Sequence, residues 1–177
     1  VSKFDNRARD YVRDGEADEV EILWFAAGGG KTEAFFGLLV WQLYLDRLTG
    51  KTFGTTAFLR FPLRLLTFQQ LQRLADTLAQ ADLLRIERSV PGEEFSIGYF
   101  VGGTQTPNSI GNDMDRRYRE RGVDMTLRQL SHCPYCGNDD VRLEYDSTNR
   151  LIAHKCGGAN MCPNPRSTIP LYIVDTD

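Results

Sequence analysis

The sequence predicts an α/β fold built on a parallel sheet, and three observations lead to this prediction. Short apolar segments alternate along the chain with longer helical segments, which is typical of parallel α/β sheets. Three glycines and a lysine, residues 28–31, stand between the first apolar segment and the first helical segment. Four cysteines near the end of the chain interrupt the alternation. The sequence thus predicts one nucleotide-binding domain that carries a small cysteine-containing insertion.

The composition is typical of a globular protein that buries a core. The chain has 177 residues, of which 41% are hydrophobic and 25% charged, and its formal net charge is −3. This charge excludes a histone-like protein, so any nucleic-acid site must be a local patch. No apolar run reaches about 18 residues, so we expect no membrane contact. The charged residues 1–14 do not fit a secretory signal peptide, and we expect a cytoplasmic protein.

The first predicted elements surround the glycine run. Residues 1–20 form a polar lead-in, and Glu21–Phe25 is predicted to be a short buried strand. Thr32–Leu48 is predicted to be a helix, which Gly50 ends. Because its side chains are apolar on nearly every side, we expect this helix in the interior, packed against a sheet.

The alternation continues through the middle of the chain. Thr55–Phe61 is predicted to be a second strand, and Leu63 to about Arg85 a helix. The inward face of this helix comprises Leu71, Leu74, Ala75 and Leu78, and its outward face Gln72, Arg73, Asp76 and Gln80. Phe95–Val101 and Pro170–Val174 are the third and fourth predicted strands, and Ser109–Arg121 is predicted to be a short charged helix.

The glycine run has the composition of a phosphate-binding loop. Gly28, Gly29 and Gly30 have no Cβ to keep backbone N–H groups away from phosphate oxygens, and the following helix adds its dipole. Lys31 would reach the β- and γ-phosphates of a nucleotide, and the Thr32 hydroxyl would bind Mg²⁺. The alternative is a flexible glycine turn followed by a surface lysine.

The cysteines have the spacing of a metal site. They are Cys133, Cys136, Cys156 and Cys162. Four thiolates suit tetrahedral Zn²⁺, and such a closed site is structural, not catalytic. A disulfide or inert thiols are the alternatives, and His132 or His154 could replace a thiolate.

The segment between the two cysteine pairs has a hairpin pattern. Val141–Tyr145 and Leu151–Lys155 flank a run of turn residues, so we expect a zinc ribbon. If the ribbon is a separate insertion, removing zinc should unfold the hairpin and leave the glycine-loop half folded.

Charged residues at two further places can be interpreted in two ways. Residues 116–121, with four arginines and a tyrosine, could contact phosphates or form a solvated helix face beside Asp113, Asp115 and Glu120. The fourth strand delivers Asp175 at its carboxyl end, where ligands bind in open α/β sheets. A solvated acidic terminus is the alternative for Asp175, and more strongly for Asp177.

Two motifs resemble those of superfamily 2 helicases. Gly28–Ala34 is similar to motif I, although Ala26 and Ala27 stand where that family has Pro-Thr. A second segment resembles motif Ia, which touches the nucleic-acid backbone in that family. The matching residues are Pro62, Arg64, Leu66 and Gln69, with Leu63 in place of Thr.

The chain most resembles the helicase of DISARM-type bacterial antiphage systems. The resemblance extends over most of residues 21–177. Beyond the two motifs, it rests on Leu23–Phe25, Gly102-Gly103, Thr106–Asn108, the Cys133–Gly137 knuckle and Pro170–Asp175.

This resemblance implies a division of the chain. Residues 21–128 would form the first part of a RecA-like domain with a P-loop sheet, and 129–166 the zinc-ribbon insertion. Residues 167–177 would be the return strand with motif II, whose first acid would be Asp175. Thr176 stands where the family has the Glu that orients the attacking water. We expect a fragment of a larger protein, lacking the second RecA-like domain and its arginine finger.

The resemblance also implies a function. We expect an ATP-dependent DNA helicase or translocase, acting in antiphage defence with other subunits, and RNA is the alternative substrate. Lys31 and Asp175 would be catalytic, Thr32 and Asp175 would bind Mg²⁺, and Arg64 and Gln69 would bind nucleic acid. The cofactors would be ATP, Mg²⁺ and Zn²⁺, and the fragment by itself would hydrolyse ATP poorly. The alternatives are a nucleic-acid-binding module with a degenerate nucleotide site and a P-loop nucleotide kinase, which the motif Ia residues and the ribbon disfavour.

Overall fold

The protein is a mixed α/β structure, seen here in a computed structural model. It describes residues 30–59, 68–100, 112–158, 161–164, 166 and 168–174. The helices are α1 (Lys31–Leu48), α2 (Phe68–Glu87) and α3 (Asn112–Arg121), and the strands are β1 (Ile97–Tyr99), β2 (Val141–Asp146), β3 (Leu151–Cys156) and β4 (Thr168–Ile173). The predicted strand Glu21–Phe25 lies outside the described residues.

The four strands form one sheet in the order β1-β4-β3-β2. β1 and β4 are parallel, whereas β4 with β3 and β3 with β2 are antiparallel. The prediction of a parallel sheet is therefore confirmed for one pair, and the predicted hairpin is confirmed as β2 and β3. Because β3 pairs with β4, the hairpin extends the sheet that contains the parallel pair.

The pairing of β3 with β4 is interrupted near Pro170. Ala153 is in register with Tyr172, but His154 is in register with Ile169, so two residues of β4 have no partner in β3. Proline cannot donate a backbone hydrogen bond, which accounts for a break in the ladder at this point.

Helix α2 packs against the sheet and forms the main core. Leu71, Ala75 and Ala79 lie in one buried cluster with Leu171 and Ile173 of β4. All four residues predicted for the inward face of this helix are buried. The prediction that Gln72 faces outward is wrong, because Gln72 is buried and binds backbone groups of a later segment.

Helix α1 has the predicted extent but not the predicted burial. Phe36 is buried in a small cluster with Leu74 and Leu78 of α2. Trp41, on another side of the helix, is 60% exposed. The interior position expected for this helix is therefore wrong in the structure, where its packing in the described residues is against α2, β1 and Phe95 in the segment before β1.

Two predicted strands differ from the structure. Residues 55–59 form no strand; Thr55 O accepts from Lys51 Nζ, and Thr56 Oγ1 donates to Asp46, both at 2.8 Å. Polar groups of this segment are thus bonded to the end of α1 and to Lys51 just beyond it, not to a neighbouring strand. The third predicted strand is shortened to Ile97–Tyr99.

Candidate functional site

The four cysteines lie together, as the sequence predicts. Their sulfur atoms all lie within 4.8 Å of one another. Cys133 Sγ is 3.8 Å from Cys162 Sγ, and Cys136 Sγ is 3.5 Å from Cys156 Sγ. Four sulfurs at about 2.3 Å from a tetrahedral zinc ion would be roughly 3.8 Å apart. The donor set and the spacing therefore fit a metal such as zinc.

A tight turn brings the first two sulfurs together. Cys133 N donates to Asn138 O, and Gly137 N donates to Cys133 O, both at 2.8 Å. Gly137 has a φ of 74°, in the left-handed region that glycine tolerates best. The Cys-Pro-x-Cys-Gly sequence thus forms a knuckle, with the two sulfurs on the same side.

The second pair is held by the end of the hairpin. Cys156 ends β3, and the next residue, Gly157, donates from its N–H to Asp140 O at 2.7 Å. A Cβ on Gly157 would overlap the Asp140 side chain. Asp140 is itself fixed by Arg142, whose Nη2 is 2.7 Å from the carboxylate. The close approach of these two backbones therefore needs glycine at 157.

The thiols differ in their electrostatic surroundings. Burial raises the pKa of the Cys133 thiol and also that of Cys162. At Cys136, burial acts to raise the pKa, but a hydrogen bond from the backbone of Asn138 and the neighbouring thiols outweigh it, so the pKa is lowered. Metal binding requires thiolates, so loading would release protons.

The two histidines near the cysteines are engaged elsewhere. His154 is fully buried; its Nδ1 donates to Leu171 O at 2.9 Å, and its Nε2 accepts from Gln129 N at 3.1 Å. Burial lowers the pKa of His154 to about 4, so the ring is neutral. His132 Nδ1 is 3.0 Å from Ser131 Oγ, and its Nε2 is 3.5 Å from Asp76. The group in the described residues that could hold a metal is accordingly four cysteines without histidine.

Gln72 of α2 binds the segment that enters the knuckle. Its Oε1 accepts from Ser131 N at 2.9 Å and from Ser131 Oγ at 3.1 Å. Its Nε2 donates to His132 O at 3.2 Å. One buried amide therefore satisfies three polar groups beside Cys133.

Ion pairs hold the segment that leaves the cluster. Asp82 of α2 is fully buried and accepts from Arg85 Nε at 2.7 Å and from Arg166 Nη1 at 2.9 Å. Arg166 Nη1 also lies 2.9 Å from Glu94 Oε2. Two acids and two arginines thus compensate one another, which buried charges require.

The described part of the glycine loop has the local geometry of a helix start. Gly30 adopts φ 76° and ψ 20°, and Lys31 is the first residue of α1. Gly30 O accepts from Ala34 N at 3.1 Å, and Glu33 forms an ion pair with Arg73 of α2. Lys31 and Thr32 thus occupy the positively polarised end of α1. Gly28 and Gly29 lie outside the described residues.

Several predicted site residues are not positioned. Arg64, Asp175, Thr176 and Asp177 lie outside the described residues, as do residues 101–111. Gln69 is exposed in the first turn of α2. Motifs Ia and II therefore remain sequence-based predictions.

Sequence reasoning missed the polar residues that join the cysteine cluster to α2. Gln72 contacts a segment about 60 residues away, and Asp82 one 84 residues away. An available signal was the pair Asp82 and Arg85, which lie three residues apart on the side of the helix where Leu71, Leu74 and Leu78 are buried.

Within the described residues, no helix is both long and apolar enough to cross a membrane.

Comparison with known proteins gives one informative match. The chain is 31% identical over 177 residues to the DISARM protein DrmA of Bacillus paralicheniformis, a match that covers 89% of the chain and 16% of that protein. No family model matches the chain, and no solved structure matches it. The chain is therefore related to a DISARM protein, of whose length it spans 16%.

Proposed function

We propose that this chain is the nucleotide-binding part of a superfamily 2 helicase or translocase that acts in bacterial antiphage defence. The observation that carries the proposal is the 31% identity to a DISARM protein over 89% of the chain. At 89% coverage, the match must include part of both halves of the chain. DNA is the proposed substrate, with RNA as the alternative, and other defence-system subunits are the proposed partners.

The start of α1 supports the nucleotide-binding part of the proposal. A left-handed glycine is followed at once by a lysine at the first position of a helix, and backbone N–H groups with a cation at a helix start favour phosphate binding. Lys31 would contact the β- and γ-phosphates of ATP, and Thr32 would hold Mg²⁺ together with Asp175.

The cysteine cluster supports a structural zinc ion in the same chain. Cys133, Cys136, Cys156 and Cys162 would hold it, leaving no open position for substrate. Protein purified under reducing conditions should contain one equivalent of zinc. Less than about half an equivalent by elemental analysis would contradict this part of the proposal.

Replacing Lys31 tests the nucleotide site. Lys31→Ala removes a charge-assisted contact worth roughly 1.5–3 kcal/mol, so Mg-ATP affinity should fall about tenfold or more in a titration. Lys51→Ala is the matched control, because Lys51 lies just beyond the opposite end of α1 and pairs with Asp46. Equal affinity of the wild type and Lys31→Ala would refute the phosphate-loop interpretation.

A nucleic-acid-binding module with a degenerate nucleotide site is the second candidate. The observation that favours it is Thr176, because a hydroxyl is a much poorer proton acceptor than the Glu of the resembled motif.

Under the first proposal, the 177-residue polypeptide should bind Mg-ATP but turn it over far below an ordinary rate of about 1 s⁻¹, with or without DNA. Thr176→Glu should raise that turnover. DNA binding without any nucleotide binding would favour the second candidate.

A further inference from the structure

The arginines without a bonded partner are concentrated in one part of the protein. Elsewhere in the described residues, exposed arginines pair with acids, as Arg88 does with Glu87 and Arg142 with Asp140. Among the described residues, no hydrogen bond or ion pair engages the following four: Arg116, Arg117, Arg121 and Arg128; of these, Arg117 interacts electrostatically with Asp124. All four belong to α3 or to the segment directly after it.

This segment differs in charge from the rest of the chain. Residues 116–128 contain five arginines and two acids, a formal charge of +3 in a chain whose net charge is −3. One of the acids, Asp124, is engaged in accepting a hydrogen bond from Thr126 N at 2.9 Å. The other, Glu120, is exposed on α3. We call residues 116–128 the arginine segment.

One side of α3 is anchored, which fixes the direction of its arginines. Tyr118 is buried, and its ring centroid lies 5.4 Å from that of Tyr145 on β2. Arg116, Arg117 and Arg121 are exposed on the remaining surface of the helix. Arg117 and Arg121 are one turn apart, with Cβ atoms about 5–6 Å from each other. Two guanidinium groups on one rigid face are thereby presented together.

We propose that the arginine segment binds the phosphate backbone of nucleic acid. This inference rests on the proposed function, since it assigns a contact surface for the substrate of that function. Guanidinium groups bind phosphate through paired, charge-assisted hydrogen bonds, and the segment has three more arginines than acids, so its two acids cannot neutralise them. The surface is separate from the motif Ia residues Arg64 and Gln69.

The chemistry of the segment favours nucleic acid over a protein partner. Protein interfaces are depleted of charge at their centres and enriched in aromatic and apolar side chains. Among the described side chains of the arginine segment, Met125 is the exposed large apolar residue, and Tyr118 is buried. A surface of this kind gains affinity chiefly by releasing counterions from a polyanion.

The test compares two double variants of the 177-residue chain. Arg117→Gln/Arg121→Gln removes two charges that no hydrogen bond or ion pair engages, and Lys51→Gln/Arg88→Gln removes two paired ones as the matched control. Binding of a fluorescent DNA strand, and of the duplex of the same sequence, is measured by anisotropy at several salt concentrations. The substituted side chains are exposed or half-exposed, so circular dichroism and melting should show that both variants fold.

Arg117→Gln/Arg121→Gln should bind DNA at least about tenfold more weakly than the wild type. The slope of log K plotted against log salt concentration should be shallower by about 1–2. The control should keep the wild-type affinity and slope. If the wild type binds DNA and Arg117→Gln/Arg121→Gln binds it equally well, this inference is wrong. The nucleic-acid part of the proposed function would then still stand. Failure of the wild type to bind either DNA form would refute both. Displacement of the DNA by poly-glutamate at equal charge would also overturn the inference, since the segment would then be a general anion surface.

Discussion

At the scale of single residues, His154 shows how a break in the sheet is repaired. Two residues of β4, Pro170 and Leu171, have no register partner in β3. The His154 ring donates to Leu171 O and accepts from Gln129 N, so both of its nitrogens are used. His154, two positions before Cys156, thus bonds groups of the core and takes no part in the cysteine cluster.

Substitution of His154 should destabilise the fold without affecting metal content. In His154→Leu, a buried carbonyl and a buried N–H lose their partners, at about 1–3 kcal/mol each. We expect the free energy of unfolding in urea to fall by about 2–5 kcal/mol. His132→Leu, at a half-exposed position, should change it by less than about 1 kcal/mol. Loss of zinc in folded His154→Leu would show instead that the histidine is a ligand.

At the scale of elements, the hairpin and the helices could be predicted from local patterns. Leu71, Leu74, Ala75 and Leu78 repeat with helical spacing, and turn residues separate β2 from β3, so each signal lies within one element. The joining of the hairpin to β4 could not be predicted, because pairing between distant strands leaves no local periodic signal. The same holds for Gln72, whose inward position is explained only by a partner 59 residues away.

In the candidate site too, the features with a local sequence signal could be predicted, and those that depend on distant residues could not. The spacing of the cysteines was sufficient to predict that they would cluster, since a knuckle and the two ends of a hairpin bring thiols together. The residues that bind this cluster to α2 were not predictable, because each is an ordinary polar side chain until its distant partner is known. The burial of Asp82 beside Arg166 is the clearest case.

The contact between β2 and the end of β3 yields a prediction about the metal site. In Gly157→Ala, the added methyl group would push Asp140 away, and overpacking of this kind costs about 1–3 kcal/mol. Because Gly157 follows Cys156, zinc affinity in a chelator competition should fall about tenfold. Gly37→Ala is the control, since nothing lies within 4 Å of its added Cβ, and it should keep the wild-type affinity. Unchanged affinity in Gly157→Ala would show that this contact does not position the second cysteine pair.

At the scale of the whole molecule, the cysteine cluster belongs to the main core. Cys133 and Tyr135 of the knuckle lie in one buried cluster with Leu71 of α2 and Ile173 of β4. Gln72 and Asp82 bind the segments that enter and leave the cysteines. This differs from the expectation that the hairpin would unfold by itself, because the hairpin shares a sheet with β4 and a buried cluster with α2.

Comparison of the binding free energy of zinc with the free energy of unfolding predicts that removing the metal unfolds the hairpin, α2 and the parallel strand pair together. Structural zinc contributes about 10–16 kcal/mol of apparent binding energy, whereas domains of ordinary size are stable by about 5–15 kcal/mol. Without zinc, the thiol at Cys133 and the groups bonded to Gln72 lose the arrangement that the metal fixes. The parallel pair and α2 should therefore lose protection together with the hairpin.

Hydrogen exchange of the full chain, with zinc bound and after chelation, tests this central claim most directly. The account predicts that chelation accelerates exchange at the α2 amides from Leu71 to Ala79 as much as at the β2 and β3 amides, and that adding zinc back restores both. Faster exchange confined to β2, β3 and the knuckle, with α2 fully protected, would contradict it and restore the independent ribbon.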